Sequence, residues 1–211
     1  MSVRIKVCGV CRLPDVEASI EAGADAIGFN CWPGSPRYLK PDDAAKLVSK
    51  VPPSILTVGV FVKAPTQEVA ESVRIAGFRA IQLHGDEDPT SYAHLPVEII
   101  QVIRMKDGQA LPSGPAPACV RRVLLDTHVA EFGGAGRTFD WTRAALARER
   151  LGRDVLIGGG LTADNVGEAI RLGRPWGVDV ASGVESSPRA KDARKIRAFV
   201  AAVRAAEREQ Q

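Results

Sequence analysis

The sequence predicts an α/β protein, a single (β/α)8 barrel of the TIM type over residues 1–211, and three observations predict it. Eight short apolar runs rich in β-branched residues recur along the chain, at residues 3–7, 26–29, 55–61, 80–83, 98–103, 123–125, 155–157 and 178–180. Each is mostly uninterrupted rather than alternating, the pattern of a strand covered on both faces in a parallel sheet. Segments with apolar residues at helical spacing separate these runs, and 211 residues over eight units gives about 26 per unit, near the lower size limit of such a barrel. A doubly wound sheet usually has fewer strands, and no linker or composition break divides the chain.

Taken in order, the first run ends at Cys8-Gly9, and the second opens into the loop Asn30-Cys-Trp-Pro-Gly-Ser-Pro-Arg37-Tyr38. Pro41-Asp42-Asp43 then precedes a helix over 44–49 as its start signal. After the third run, Thr66-Gln67-Glu68 opens a helix that passes Ile75 and ends at Gly77. The fourth run ends at His84-Gly85. The fifth is followed by RMKDGQALPSGPAPACVRR, whose Pro112, Pro115 and Pro117 exclude a full helix, so the helix after strand 5 is expected to be short or missing. The sixth run leads into Asp126-Thr-His128 and the seventh into Gly158-Gly159-Gly160. There Thr162-Ala-Asp-Asn165 precedes a helix over 166–172 that is expected to stop at Gly173. The eighth run ends in Ala181-Ser182-Gly183-Val184-Glu185. In the last helix Ile196, Phe199, Val200 and Val203 form one apolar stripe, leaving Arg194, Lys195, Arg197 and Arg204 for solvent.

Composition removes several function classes. Net charge is +3 from 28 basic and 25 acidic residues with the signs interspersed, which gives no reason to expect a nucleic-acid surface. Arg4 and Lys6 interrupt any signal-peptide core, and the longest strongly apolar stretch, about residues 55–62, falls far short of the roughly 20 residues that span a bilayer. A cytoplasmic protein that meets no membrane is expected. Cysteines at 8, 11, 31 and 119 are too few and irregular for a disulfide scaffold.

Barrel enzymes place their chemistry at the C-terminal strand ends. Cys8 and Cys11, three apart, could form a redox pair, half of a zinc site, or one working thiol beside an uninvolved neighbour. Zinc finds no further close-spaced ligands among the three histidines, at 84, 94 and 128, so no metal is expected. Glycine-rich turns after strands 7 and 8 let backbone N–H groups approach an anion, which points to a phosphorylated small-molecule substrate held by Gly159, Gly160, Ser182 and Gly183. The cluster Gly133-Gly-Ala-Gly136-Arg-Thr138 lacks the lysine of a P-loop and reads as a flexible loop over the site.

Lys6-Val-Cys8-Gly-Val, Gly28-Phe…Ser35-Pro-Arg37-Tyr38, Val58-Gly-Val-Phe61-Val, Gln82-Leu-His84-Gly85, Leu125-Asp126, Gly133-Gly-Ala-Gly136-Arg-Thr-Phe-Asp140-Trp141, Gly159-Gly160-Leu and Val178-Asp179-Val-Ala-Ser182-Gly183-Val-Glu185 together resemble the phosphoribosylanthranilate isomerase family of tryptophan biosynthesis. The resemblance implies an Amadori rearrangement of N-(5-phosphoribosyl)anthranilate to 1-(2-carboxyphenylamino)-1-deoxyribulose 5-phosphate, without a cofactor. It implies Asp126 as general acid, Cys8 as general base and Arg37 as holder of the anthranilate carboxylate. Gln82, His84 and Asp179 match family positions that line the mouth as supporting or substrate-contacting groups. Cys11 stands where the family usually has threonine, Gly34 where lysine is common, and Gly158 where serine or alanine is frequent.

The chemistry is consistent with those roles: ring opening needs a proton on the ring oxygen, and the resulting Schiff base acidifies the C2 hydrogen for removal by a base. Arg37 offers a planar fork that fits a carboxylate bidentately. The rival readings are a sugar-phosphate isomerase of the histidine pathway or a dual-substrate enzyme, a CxxC redox protein, and a non-catalytic binding module. A monomer and a homodimer fit the sequence equally.

Overall fold

The computed structural model describes residues 2–105, 110–127 and 139–210. Eight parallel strands close into a barrel in chain order: β1 (Arg4–Val7), β2 (Ala26–Asn30), β3 (Leu56–Phe61), β4 (Ala80–Leu83), β5 (Glu98–Met105), β6 (Val120–Thr127), β7 (Asp154–Ile157) and β8 (Gly177–Val180). β8 pairs back onto β1 with Lys6 opposite Asp179. The strands match the eight apolar runs to within a few residues. β6 differs most, because its ends carry Arg121, Arg122 and Asp126 and are invisible to a search for apolar runs.

Among the described residues six α-helices lie between and after the strands: α1 (Leu13–Glu21), α2 (Pro41–Val48), α3 (Thr66–Ala76), α4 (Arg143–Leu151), α5 (Val166–Gly173) and α6 (Ala193–Glu209). Gly77 caps α3 in the left-handed conformation at φ 73°, its N–H bonded to the Val73 carbonyl at 2.9 Å. α5 corrects the expected stop. It runs through Gly173 and is capped by Arg174, left-handed at φ 42°, at a cost of about 1 kcal/mol. Gly173 serves packing instead, since a Cβ there would come 2.5 Å from Ile157 of β7.

Residues 110–119, between β5 and β6, carry no helix, as their prolines dictate. The Arg153 guanidinium donates to two of this segment's carbonyls, Ala116 at 3.4 Å and Pro117 at 3.2 Å, and to that of Val120 at the start of β6 at 2.6 Å. The fourth unit also lacks its α-helix, which the sequence reading did not anticipate. Residues 84–97 hold only a 3-10 turn (Pro89–Tyr92), because two prolines, Pro89 and Pro96, crowd a short connection. The buried Tyr92 anchors it through its hydroxyl, which donates to the Ala64 carbonyl at 2.7 Å.

α6 buries Ile196, Phe199, Val200 and Val203, as the stripe requires. Arg194, Lys195 and Arg197 are exposed, whereas Arg204 is half-buried and ties down the N-terminus through Ser2, the Val3 carbonyl and Glu207. Among the described residues no helix is long and apolar enough to cross a membrane.

Inside the barrel Val58, Ala80, Ile100, Val102, Leu124 and Leu156 form an apolar floor. Side chains alternate along a strand, so the next inward position is two residues on. From Ala80 that is Gln82, and from Leu124 it is Asp126. On β1 and β8 the inward positions hold Lys6 and Asp179. The barrel is therefore apolar below and polar at its C-terminal mouth.

Candidate active site

At the end of β1, Lys6 is 2% exposed and its Nζ donates to Asp179 Oδ1 at 2.8 Å. Cys8 lies two residues further on the same face and is buried, its N–H bonded to the Val180 carbonyl at 2.8 Å. Gly28 of β2 leaves room for both, since a Cβ there would stand 2.9 Å from Cys8 Sγ and 3.0 Å from Lys6 Nζ. The Lys6 charge also acts on the Cys8 sulfur. Burial alone would push the Lys6 ammonium down, but Asp179 and Cys8 outweigh it and hold the pKa above its ordinary value. Burial pushes the Cys8 thiol up, and the Asp179 charge adds to this; Lys6 and Lys191 oppose it.

Arg37, in the loop after β2, crosses beside Gly9, where any Cβ would overlap its Cδ. Its Nε and NH2 donate to the two oxygens of Glu185 at 2.7 and 2.6 Å. Lys191 donates to Glu185 Oε1 at 3.0 Å and to the Ala181 carbonyl at 2.9 Å. Burial would raise the Glu185 carboxyl, yet the bonds from Arg37 and the charge of Lys191 hold it below its usual range. Cys11 donates weakly to the carbonyls of Arg37 and Gly9, at 3.4 and 3.6 Å. Cys8 and Cys11 are both free thiols, and burial pushes both upward, the opposite of what a reactive dithiol needs.

On the far side of the barrel order, the Gln82 amide lies 3.1 Å from His84 Nδ1, and His84 Nε2 lies 3.0 Å from Asp126 Oδ2. With the amide N–H donating to Nδ1, His84 carries its proton on Nε2 and donates it to Asp126. The loop after β7 presses on the same carboxylate. Gly159 has φ 80°, and a Cβ there would sit 2.5 Å from Asp126 Oδ1 and from the Thr127 N. Asn165 fixes this loop by donating to the Gly160 carbonyl at 2.9 Å and accepting from Thr162 N at 2.8 Å. After β8, a 3-10 turn (Ser182–Val184) presents its first N–H groups without partners inside the turn. Gly183 fits so tightly that a Cβ would overlap the Leu161 carbonyl, which brings the β7 and β8 loops into contact.

Every expected site residue thus lies at one end of the barrel. Cys8 and Asp179 share one cluster, Gln82, His84, Asp126 and Gly159 a second, and Arg37 joins the loop after Ser182 and Gly183 through Glu185. Lys6, Glu185 and Lys191 are the additions that the sequence reading did not single out. Lys6 had a readable signal, a charge at an inward position of a buried strand. His128 and the cluster at 133–136 lie outside the described residues. Among the described residues no three His, Cys, Asp or Glu side chains gather as metal ligands. A groove of about 630 Å³ lined by Cys119, Arg121, Arg148 and Arg153 lies at the opposite end, away from these groups.

Comparison with known proteins shows the family and the fold. The family model described as N-(5'-phosphoribosyl)anthranilate (PRA) isomerase matches residues 5–202. The N-(5'-phosphoribosyl)anthranilate isomerase of Myxococcus xanthus is 46% identical over 208 residues, 97% of each chain. The crystal structure of the phosphoribosyl anthranilate isomerase of Thermotoga maritima superposes with a TM-score of 0.83 at 34% identity, covering 96% of this chain and 99% of that one. A phosphoribosyl anthranilate isomerase in complex with reduced 1-(o-carboxyphenylamino)-1-deoxyribulose 5-phosphate gives a TM-score of 0.80 at 31% identity, with the same coverage. With its barrel and nearly its whole length in common with these proteins, the chain belongs to the N-(5'-phosphoribosyl)anthranilate isomerase family.

Proposed function

We propose that the chain is a single-domain aldose-ketose isomerase of tryptophan biosynthesis, converting N-(5-phosphoribosyl)anthranilate to 1-(2-carboxyphenylamino)-1-deoxyribulose 5-phosphate without a cofactor. The observation that carries the reading is the pair of strand-end groups on opposite sides of one mouth, Asp126 on β6 and Cys8 on β1, between the glycine loops and Arg37.

In this reading Gly159, Gly160, Ser182 and Gly183 receive the substrate phosphate through backbone N–H groups. Asp126 gives its proton to the ribose ring oxygen, the C1–O bond breaks, and the anthranilate nitrogen becomes a protonated Schiff base. The carboxylate left behind accepts from His84 Nε2–H, which stabilises it as the charge develops. Cys8 then removes the C2 hydrogen, the electron pair neutralises the iminium, and the enolamine tautomerises to the ketone.

The raised thiol pKa does not oppose this. The iminium places a positive charge one bond from C2, and with Lys6 and Lys191 it favours the thiolate at the moment a base is required. Gln82 orients His84, and Asp179 holds Lys6 against the thiol.

The test follows loss of substrate fluorescence with freshly prepared phosphoribosylanthranilate. Turnover is expected in the purified chain, with a loss of about 10²-fold or more in Cys8→Ser and in Asp126→Asn. Absence of turnover in the folded wild-type chain would overturn the reading and leave a binding module.

A further inference from the structure

Glu185 is a buried anion between two cations, and its placement has a use beyond stability. Its side chain is 6% exposed, that of Lys191 0% and that of Arg37 22%. A guanidinium has two edges that match a carboxylate. Glu185 takes the Nε/NH2 edge of Arg37, which leaves the NH1/NH2 edge as the second fork. The three side chains carry a net charge of +1, from two cations and one anion, which complements a single further carboxylate.

The surrounding chain holds this arrangement from both sides. Glu185 begins β9 (Glu185–Ser187), which pairs with β10 (Ala190–Lys191) in a hairpin directly after the 3-10 turn. Arg189, in the hairpin's connection, donates to the Pro36 and Tyr38 carbonyls on either side of Arg37, at 2.8 and 3.1 Å. Lys195 of α6 donates to the Glu185 carbonyl at 2.7 Å. The hairpin therefore joins the loop of Ser182 and Gly183 to the loop of Arg37.

We propose that Glu185, held by Lys191, is the positioning residue for Arg37, and that this triad sets the enzyme's preference for an arylamine bearing a carboxylate. The proposal rests on the reading of Arg37 as the anthranilate-binding group. Glu185 locks the guanidinium plane and saturates one edge, so the other faces the mouth with its rotamer already fixed. Removing the Glu185 charge frees the fork and adds one uncompensated positive charge.

The experiment compares two substrates, phosphoribosylanthranilate and the phosphoribosyl adduct of aniline, which lacks the carboxylate. In Glu185→Gln the KM for phosphoribosylanthranilate is expected to rise about tenfold or more, while kcat changes by less than about threefold, because the lost interaction is made equally in ground and transition states. The kcat/KM preference for the carboxylated substrate is expected to fall about tenfold. Glu185→Asp, which keeps the charge at shorter reach, recovers part of that preference and serves as the second variant where Glu185→Gln melts early. The double variant Arg37→Ala/Glu185→Gln is expected to be no worse than Arg37→Ala alone. Equal losses on both substrates, or additive losses in the double variant, would overturn the positioning role. Arg37→Ala with an intact carboxylate preference would instead overturn the placement of anthranilate at Arg37.

Discussion

Lys6→Met separates the electrostatic reading of the Cys8 site from a merely structural one. Methionine keeps the length of the stem and removes one buried positive charge. The lost partner lies 2.8 Å from Asp179 Oδ1, and its charge draws the Cys8 thiol downward. At an effective dielectric constant of about 20, two unit charges ~4 Å apart interact by about 4 kcal/mol, an upper bound for the support that Lys6 gives a thiolate. Each 1.36 kcal/mol corresponds to one pH unit. Asp179, left without its partner, adds repulsion in the same direction. The ascending, acid-side limb of the kcat/KM profile, which reports the general base, should therefore move to higher pH by about one to three units. Activity near neutrality should fall by roughly 10- to 10³-fold. The assay is the pH-rate profile by substrate fluorescence, with the thiolate absorbance of Cys8 titrated in parallel. A profile that loses amplitude at every pH with its limb in place would refute the reasoning, because Lys6 would then support packing alone. Stability is read alongside by denaturant unfolding. Stranding the Asp179 charge should cost about 3–5 kcal/mol, and Lys6→Met/Asp179→Asn should recover part of that while leaving the limb displaced.

Further outcomes follow from single contacts. Cys11→Ser should leave turnover within about threefold of wild type while Cys8→Ser loses ~10²-fold or more, since only Cys8 borders the substrate in the proposed mechanism; equal losses would favour the dithiol reading. His84→Ala should lower kcat by about 10-fold with KM little changed, as the transition state loses a donor to Asp126. Gly183→Ala forces a Cβ onto the Leu161 carbonyl, so the β7 and β8 loops must part; KM and inhibition by inorganic phosphate should weaken together, and an unchanged phosphate inhibition constant would sink the phosphate assignment. Burial pushes the Cys31 thiol up to about 12 from an ordinary value of 9.0. The folded state then holds a proton that the unfolded chain releases, so this stability is intact below about pH 9 and is lost as pH rises toward 12, by up to about 4 kcal/mol. Cys31→Ala should flatten that alkaline decline in urea unfolding measured across pH.

The strands were legible because each is buried on both faces, so β-branched runs stand out against charged helices. The ends of β6 escaped for the same reason inverted. Arg122 and Asp126 are strand residues whose side chains meet other charges and loops, and polarity hides them from an apolar search. The missing helix after β4 was readable from its 14-residue connection and two prolines, as the one after β5 was, but a unit count assumes its helix unless a breaker is conspicuous. At the site, position along a strand could be read and partnership could not. Cys8 and Asp126 sit where strands end, whereas Lys6 meets Asp179 across 173 residues and Arg37 meets Glu185 across 148. Such pairs exist only once the barrel has closed and β8 has taken its register on β1. A rule was still available. In a strand whose neighbours are all apolar, a lysine can be inward only if a carboxylate on an adjacent strand compensates it, because an unpaired buried charge costs several kcal/mol. Closure makes β8 the neighbour of β1, and Asp179 is the carboxylate within β8. Applied to Lys6, that reasoning finds the ion pair beside the proposed base from the sequence and the strand order alone.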